Sequence, residues 1–180
     1  VGTFHLTSNI GTEVVGYKFR SMYPDLNTFR RIVVPIFEQN EESWFGKDIM
    51  FSKKGQNRTY TGVIVDRTVA DVVEELQSME NVYSRNLAAL KWRETQDGER
   101  VYERASYAYV PNGFFGEYQY HVRLWPHEDG VAVWAHYELN PWVRPRDHYN
   151  GVDWNPQKGK EWAKNTFDID ESKNMSNVTK

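Results

Sequence analysis

The chain has 180 residues, a net charge of -3 and no cysteine, a size that fits one domain with a sizeable core. The missing thiols exclude disulfides, thiolate catalysis, cysteine-bound zinc and iron–sulfur clusters, and charges of both signs mixed along the chain give no basic footprint for duplex nucleic acid. Only 39% of the residues are hydrophobic but 15% are aromatic, so an aromatic rather than aliphatic core is expected.

The opening VGTFHLTSNIG has neither the basic start nor the apolar block of a secretory signal. No run of about 18 apolar residues occurs, so no membrane span is expected. A soluble chain follows, and the lack of cysteine suits the cytoplasm. Residues 12–23, TEVVGYKFRSMY, have strand composition and stop at Pro24. A helix is predicted next. Asp25 can cap it, Leu26, Phe29, Val33, Ile36 and Phe37 fall near helical spacing, and Pro35 kinks it. Residues 47–54 and 57–68 read as two strands around Gly55. Thr68 opens a second helix, TVADVVEELQSME, with Asp71 in the place of the usual Glu or Gln of a capping box. Val69, Val72, Val73, Leu76 and Met79 form its apolar stripe.

From Leu87 the pattern is a meander. Asp97-Gly98, Asn112-Gly113 and the loop His127–Gly130 punctuate strands at 87–96, 99–110, 115–125 and 131–140. A Pro- and Gly-rich stretch follows, then a short helix from Pro156 to Phe167 anchored by Trp162 and Phe167. The fold class is α+β: a large, mostly antiparallel sheet of about seven strands in the order β-α-β-β-α-β, then a meander, with two helices on one face and a short C-terminal helix. The first six elements have the order of a ferredoxin-like unit. The alternative, a helix-grip arrangement, is weakened by the shortness of the last helix. One domain is expected over residues 1–167, followed by a polar, disordered tail at 168–180. The sequons at Asn57, Asn174 and Asn177 are read as chance occurrences.

Turn positions predict register. A two-residue turn at Asn112-Gly113 sets Ser106 opposite Gln119 and Arg104 opposite His121. One at Asp97-Gly98 sets Lys91 opposite Arg104. The last hairpin sets His121 opposite either His136 or Glu138, and both registers keep the same faces because side chains alternate with period two. One face then carries Leu90, Trp92, Val101, Ala105, Tyr107, Tyr109, Tyr118, Tyr120, Val122, Leu124, Val133, Ala135, Tyr137 and Leu139, an aromatic core for the helices to cover. The other carries Lys91, Arg93, Tyr102, Arg104, Ser106, Glu117, Gln119, His121, Arg123, Trp134, His136, Glu138 and Asn140.

That polar face has two readings. The plain one is a solvated surface laced by cross-strand pairs worth about 0.2–1 kcal/mol each. The sharper one is a pocket for a small anion, with Arg93, Arg104, Arg123 and Gln119 as ligand-binding residues and His121, His136 and Glu138 as acid–base candidates. Two histidines and a carboxylate on adjacent strands could also hold Zn or Fe(II), but three arginines on the same face would repel a cation. No metal and no cofactor are therefore expected. The segment 141–154 is the second candidate. Trp142, Arg144, Arg146, His148, Tyr149 and Trp154 make an aromatic and arginine-bearing strap suited to a partner surface. No Walker loop, dinucleotide fingerprint, nucleophile elbow, kinase set or H-E-x-x-H occurs, and the serines have no recognisable catalytic partners in the sequence. The first expectation is thus a non-catalytic binding or structural domain that uses the strap for a protein partner or self-association. The alternative is a small-molecule binding protein or enzyme built on the polar face. Single-stranded nucleic acid is disfavoured by the acidic balance.

Overall fold

The computed structural model describes residues 58–85, 92–94 and 100–179, all within one compact unit that spans 42–180. The strands expected at 12–23 and 47–54, the helix after Asp25, and Leu90 and Lys91 lie outside the described residues, as do the side chains of residues 92–94. In chain order the described elements are β1 (Tyr60–Val65), α1 (Val69–Ser78), β2 (Val82–Ser84), β3 (Trp92–Glu94), β4 (Arg100–Tyr102), β5 (Ala105–Tyr109), β6 (Tyr118–His127), β7 (Gly130–Leu139), α2 (Pro145–Tyr149) and α3 (Pro156–Thr166).

Five strands form one antiparallel sheet in the order β1-β7-β6-β5-β2, and β3 pairs with β4 apart from it. The class is α+β. The long hairpin β6–β7 is its spine, running in unbroken register from Tyr118↔Leu139 through His121↔His136 to His127↔Gly130. This is the first of the two registers the sequence permits.

Two other registers differ from expectation. Between β5 and β6 the chain makes two successive turns, Gly113 N–H to Val110 O at 2.9 Å and Gly116 N–H to Gly113 O at 2.7 Å. Asn140 Nδ2 braces this loop by donating to the carbonyls of Phe114 and Gly116, both at 2.8 Å. The wider loop pairs Ser106 with Arg123 and Ala108 with His121, four residues away from the tight-turn register. Four is even, so every side chain keeps its face. The β3–β4 pair shows the opposite outcome. Its register is Trp92↔Tyr102, one residue away from the expected Lys91–Arg104 pairing. The chain also breaks between β4 and β5 at Glu103–Arg104, which reverses the alternation. Val101 therefore packs with Trp125 and Trp134, not with the helix-covered core.

That core lies between the sheet and two helices. Ile64, Tyr107, Val122, Leu124, Val133 and Ala135 meet Val72 and Leu76 of α1 and Ala163 of α3. The capping box forms as expected: Thr68 accepts from the Asp71 N–H and Asp71 accepts from the Thr68 N–H. Asn155 caps α3 by accepting the Lys158 N–H at 2.9 Å, with Pro156 in the first turn. Trp162 stacks on Tyr109 at 5.6 Å and on Tyr120 at 5.5 Å. Gly159 lets α3 settle onto the sheet, since a Cβ there would lie 2.1 Å from the Cα of His136. Residues 170–179, polar and without periodicity, run along the sheet edges. Asp170 bridges Val63, Val178 bridges His127, and Val178 is buried beside Trp125. These pairings use backbone groups, which a side-chain pattern does not record. Among the described residues no helix is long and apolar enough to cross a membrane.

Candidate functional site

The second face of the sheet is polar but not wet. Gln119 is 1% exposed, His121 5%, His136 7% and Glu138 7%, and Ser106 and Asn140 are fully buried. The expected solvated surface is thereby corrected. Toward the β6–β7 turn the same face becomes apolar, where Trp125 and Trp134 meet at 4.4 Å between centroids.

Glu138 is the hub. Its Oε1 accepts from Gln119 Nε2 at 2.8 Å and from His121 Nδ1 at 2.9 Å, and its Oε2 lies 3.0 Å from His136 Nε2. The register explains the convergence. Gln119 faces Glu138 directly and His121 faces His136 directly, so each histidine sits within one residue step of the carboxylate. The far nitrogen of His121, Nε2, lies 2.7 Å from Ser106 Oγ. An ionised carboxylate only accepts, so His121 carries its proton on Nδ1. In the neutral ring Nε2 is then a lone pair, and Ser106 donates to it. Ser106, His121 and Glu138 thus stand in the order hydroxyl, imidazole, carboxylate.

Burial is the largest influence on His121 and lowers its pKa from 6.5 to about 3, with the nearby Arg123 guanidinium acting in the same direction and Glu138 opposing. Burial pushes the Glu138 carboxyl up, but the imidazole of His136 and the hydrogen bonds from both histidines outweigh it and hold Glu138 well below its ordinary value.

No protein-family model, curated protein or solved structure matches this chain.

The expected residues separate. Gln119, His121, Arg123, His136 and Glu138 come together, and His148 joins them. Its Nδ1 donates to Leu139 O at 2.7 Å and lies 3.5 Å from Glu138 Oε2. Arg104 stands exposed at the break between β4 and β5, away from its expected place opposite His121. Arg93 pairs through its backbone with Val101 in the separate two-stranded sheet. Arg123 is held by Glu103, whose two carboxylate oxygens lie 3.1 and 3.2 Å from its Nη1.

The strap arches round the end of β7. Trp154 reaches the His136 ring at 6.1 Å, and Asn155 then pairs with Tyr137 on the strand edge left open beyond β1. The segment thus closes one end of the histidine face before α3 crosses to the other face. Arg144 is spent on Glu117 at 2.6 Å and on Asp147, while Arg146 and Tyr149 are exposed.

Three participants had no signal as site residues. Arg85 donates to Gln119 Oε1 from Nε at 3.3 Å and from Nη2 at 3.0 Å. It follows a three-residue strand too short to show alternation. Glu103 falls on the wrong parity because the strand breaks beside it. Ser106 has the right parity, and His121 is its diagonal neighbour in the expected and the observed register alike, but alternation does not tell which neighbour a serine bonds. A groove of about 280 Å³ lined by Ile64, Arg67, Glu75 and Phe167 lies on the helix-covered side, apart from the histidines.

Proposed function

We propose that the histidine face is a small-molecule site with acid–base capacity, and that its ligand presents an oxyanion, a carboxylate or phosphate. One observation carries this reading. Arg123 Nε, Trp125 Nε1 and His136 Nδ1 are buried on this face with no hydrogen-bond partner among the described residues. A buried polar group left unpaired costs about 1–3 kcal/mol, and such groups mark strain, chemistry or a bound partner. Arg123 and Trp125 are successive residues of one face of β6, and His136 is the diagonal neighbour of Arg123 on β7. The two N–H donors suit oxygen acceptors of a ligand, and the lone pair of His136 Nδ1 suits a hydroxyl carried by the same ligand.

The chain Ser106–His121–Glu138 supplies the chemistry. Burial keeps His121 neutral, so its Nε2 lone pair accepts a hydrogen bond from Ser106 or from a ligand hydroxyl, and Glu138 on Nδ1 opposes the burial that makes this ring a weak base. His136, oriented by the same carboxylate, offers its Nδ1 as a second proton acceptor. The test follows the indole N–H of Trp125 and the Nε–H of Arg123 in ¹H–¹⁵N spectra while acetate, benzoate and inorganic phosphate are added to metal-free protein. Saturable shifts of both signals, with the exposed Trp142 indole unmoved, are expected for at least one anion. No response to any of the three overturns the reading.

A second reading has its own observation. Phe115 is 78% exposed and Trp142 64%, and both contact Phe114, at 5.1 and 6.0 Å. This aromatic patch beside the strap supports a role in association, as the sequence composition suggests. It is carried by Trp142 and not by Arg144, whose charge is already paired. Sedimentation of wild type against a Phe115→Ser, Trp142→Ser variant tests it: a species heavier than the monomer should disappear in the variant. A wild type that sediments as a monomer at every concentration removes self-association.

A further inference from the structure

We infer that the histidine face takes one divalent transition-metal ion, held by His121, His136 and Glu138. The inference deepens the reading of this face as a ligand site and rests on it. The three side chains each offer one ligand atom, and these atoms lie within 4.8 Å of one another. Metal bonds of about 2.0–2.2 Å to nitrogen and oxygen place neighbouring ligands about 3–3.5 Å apart. His121 Nδ1 and His136 Nε2 already stand 2.9 and 3.0 Å from the two oxygens of Glu138. Small side-chain rotations therefore suffice to admit an ion at the centre.

The surroundings of the three ligands fit that occupant. For His121 to ligate through Nδ1, its proton must move to Nε2, where Ser106 Oγ stands at 2.7 Å to accept it. Gln119 Nε2 holds the carboxylate from behind at 2.8 Å. Metal-ligating histidines and carboxylates are oriented by such outer partners. For His136 to ligate through Nε2, its proton must move to Nδ1. That nitrogen is buried and without a partner, so it becomes a third N–H donor alongside Arg123 Nε and Trp125 Nε1. The ion and the oxyanion would then reinforce each other. The metal turns His136 Nδ1 toward anion binding, and the anion fills a coordination position that three protein ligands leave open. A bound ion would polarise the ligand's oxygen as a Lewis acid.

The sequence-level objection was repulsion from arginines. Of the three expected on this face, Arg104 is exposed to solvent and Arg93 belongs to the separate two-stranded sheet by its backbone pairing. Arg123 is there, but both oxygens of buried Glu103 lie within 3.2 Å of it. Arg85 hydrogen-bonds Gln119, and its charge is felt by Glu138 without a direct ion pair to it. Glu103 thus offsets part of the Arg123 charge, and the Glu138 carboxylate itself supplies the negative charge that a cation needs. Two nitrogens and one carboxylate with open positions suit Zn(II) or Fe(II) better than Mg(II) or Ca(II), which favour all-oxygen sites.

Cobalt(II) chloride added to the metal-free full chain tests this by visible absorption. The expected result is ligand-field bands that saturate at one equivalent, are abolished by Zn(II), persist in excess Mg(II), and are lost in His121→Gln and in His136→Gln. A folded wild type without such bands overturns the inference, as do bands unchanged in both variants. Should the variants not fold, Zn(II) titration of the wild type read on the imidazole ¹⁵N signals decides: shifts largest at both His121 and His136 support the site, and shifts at His127 or His148 alone overturn it. The outcome stays distinct from the anion test. Anion shifts in metal-free protein without cobalt binding remove the ion and keep the ligand site. Cobalt binding with no anion response, with or without the ion, removes the oxyanion reading.

Discussion

The two faces of the central sheet are made by the same strands and are both buried, yet they are built on opposite principles. On one, Tyr107, Val122, Leu124, Val133 and Ala135 lie under α1 and α3, and packing accounts for their burial. On the other, Ser106, Gln119, His121, His136 and Glu138 are buried to nearly the same degree. Desolvating those polar groups cancels most of what their hydrogen bonds gain, leaving about 0.5–1.5 kcal/mol net for each satisfied bond. The first face stabilises the fold. The second holds titratable groups away from water, the setting in which their pKa values are most strongly shifted.

Substitutions can break or sharpen this contrast. The largest effect belongs to the helix-covered face. Leu124→Ala, at a fully buried position, should lower unfolding free energy by about 2–5 kcal/mol in denaturant titrations. Gly159→Ala comes next. The added Cβ meets the β7 backbone at 2.1 Å from His136 Cα, so a loss of about 1–3 kcal/mol is expected. Because that residue's side chain lies on the other face, the His136 ring signals should shift as well. If they stay put, the two faces are less coupled than their shared strand implies. Glu138→Gln should cost about 1–3 kcal/mol while disrupting the histidine orientations completely, a small change in stability with a large change in the site. The smallest effect is at the α1 cap. Thr68→Ala should lose about 1 kcal/mol and leave both histidines untouched. Asp71 accepts from the Thr68 backbone and hydroxyl, which lowers its pKa. Its contribution is therefore present above the unfolded carboxyl value and lost as pH falls through the lower folded one, and Asp71→Asn should remove that part of the acid dependence.

What the sequence made legible follows from the period of a strand. The grouping of His121, His136 and Glu138 depends only on alternation and on the one hairpin joining β6 to β7, and it survives the four-residue displacement of β5 because an even shift keeps faces. Val101 shows the limit: a break of two residues at Glu103–Arg104 moved it to the other face, and no turn residue announces that break. The capping box at Thr68 and the α3 start at Pro156 were readable because both are local. Burial of the polar face was not, since alternation tells which side chains share a face and not whether water reaches it. Arg85 and Glu103 carried no such signal, the first because it follows a strand of three residues and the second because the break beside it reverses its parity.

The account turns on Glu138 holding its two imidazoles by different nitrogens. Long-range ¹H–¹⁵N spectra of the metal-free protein near neutral pH read this directly. The geometry predicts opposite tautomers, with the proton of His121 on Nδ1 and that of His136 on Nε2, the second facing Glu138 Oε2 at 3.0 Å. Both rings in the same tautomer, or both freely exchanging as exposed histidines do, would contradict it.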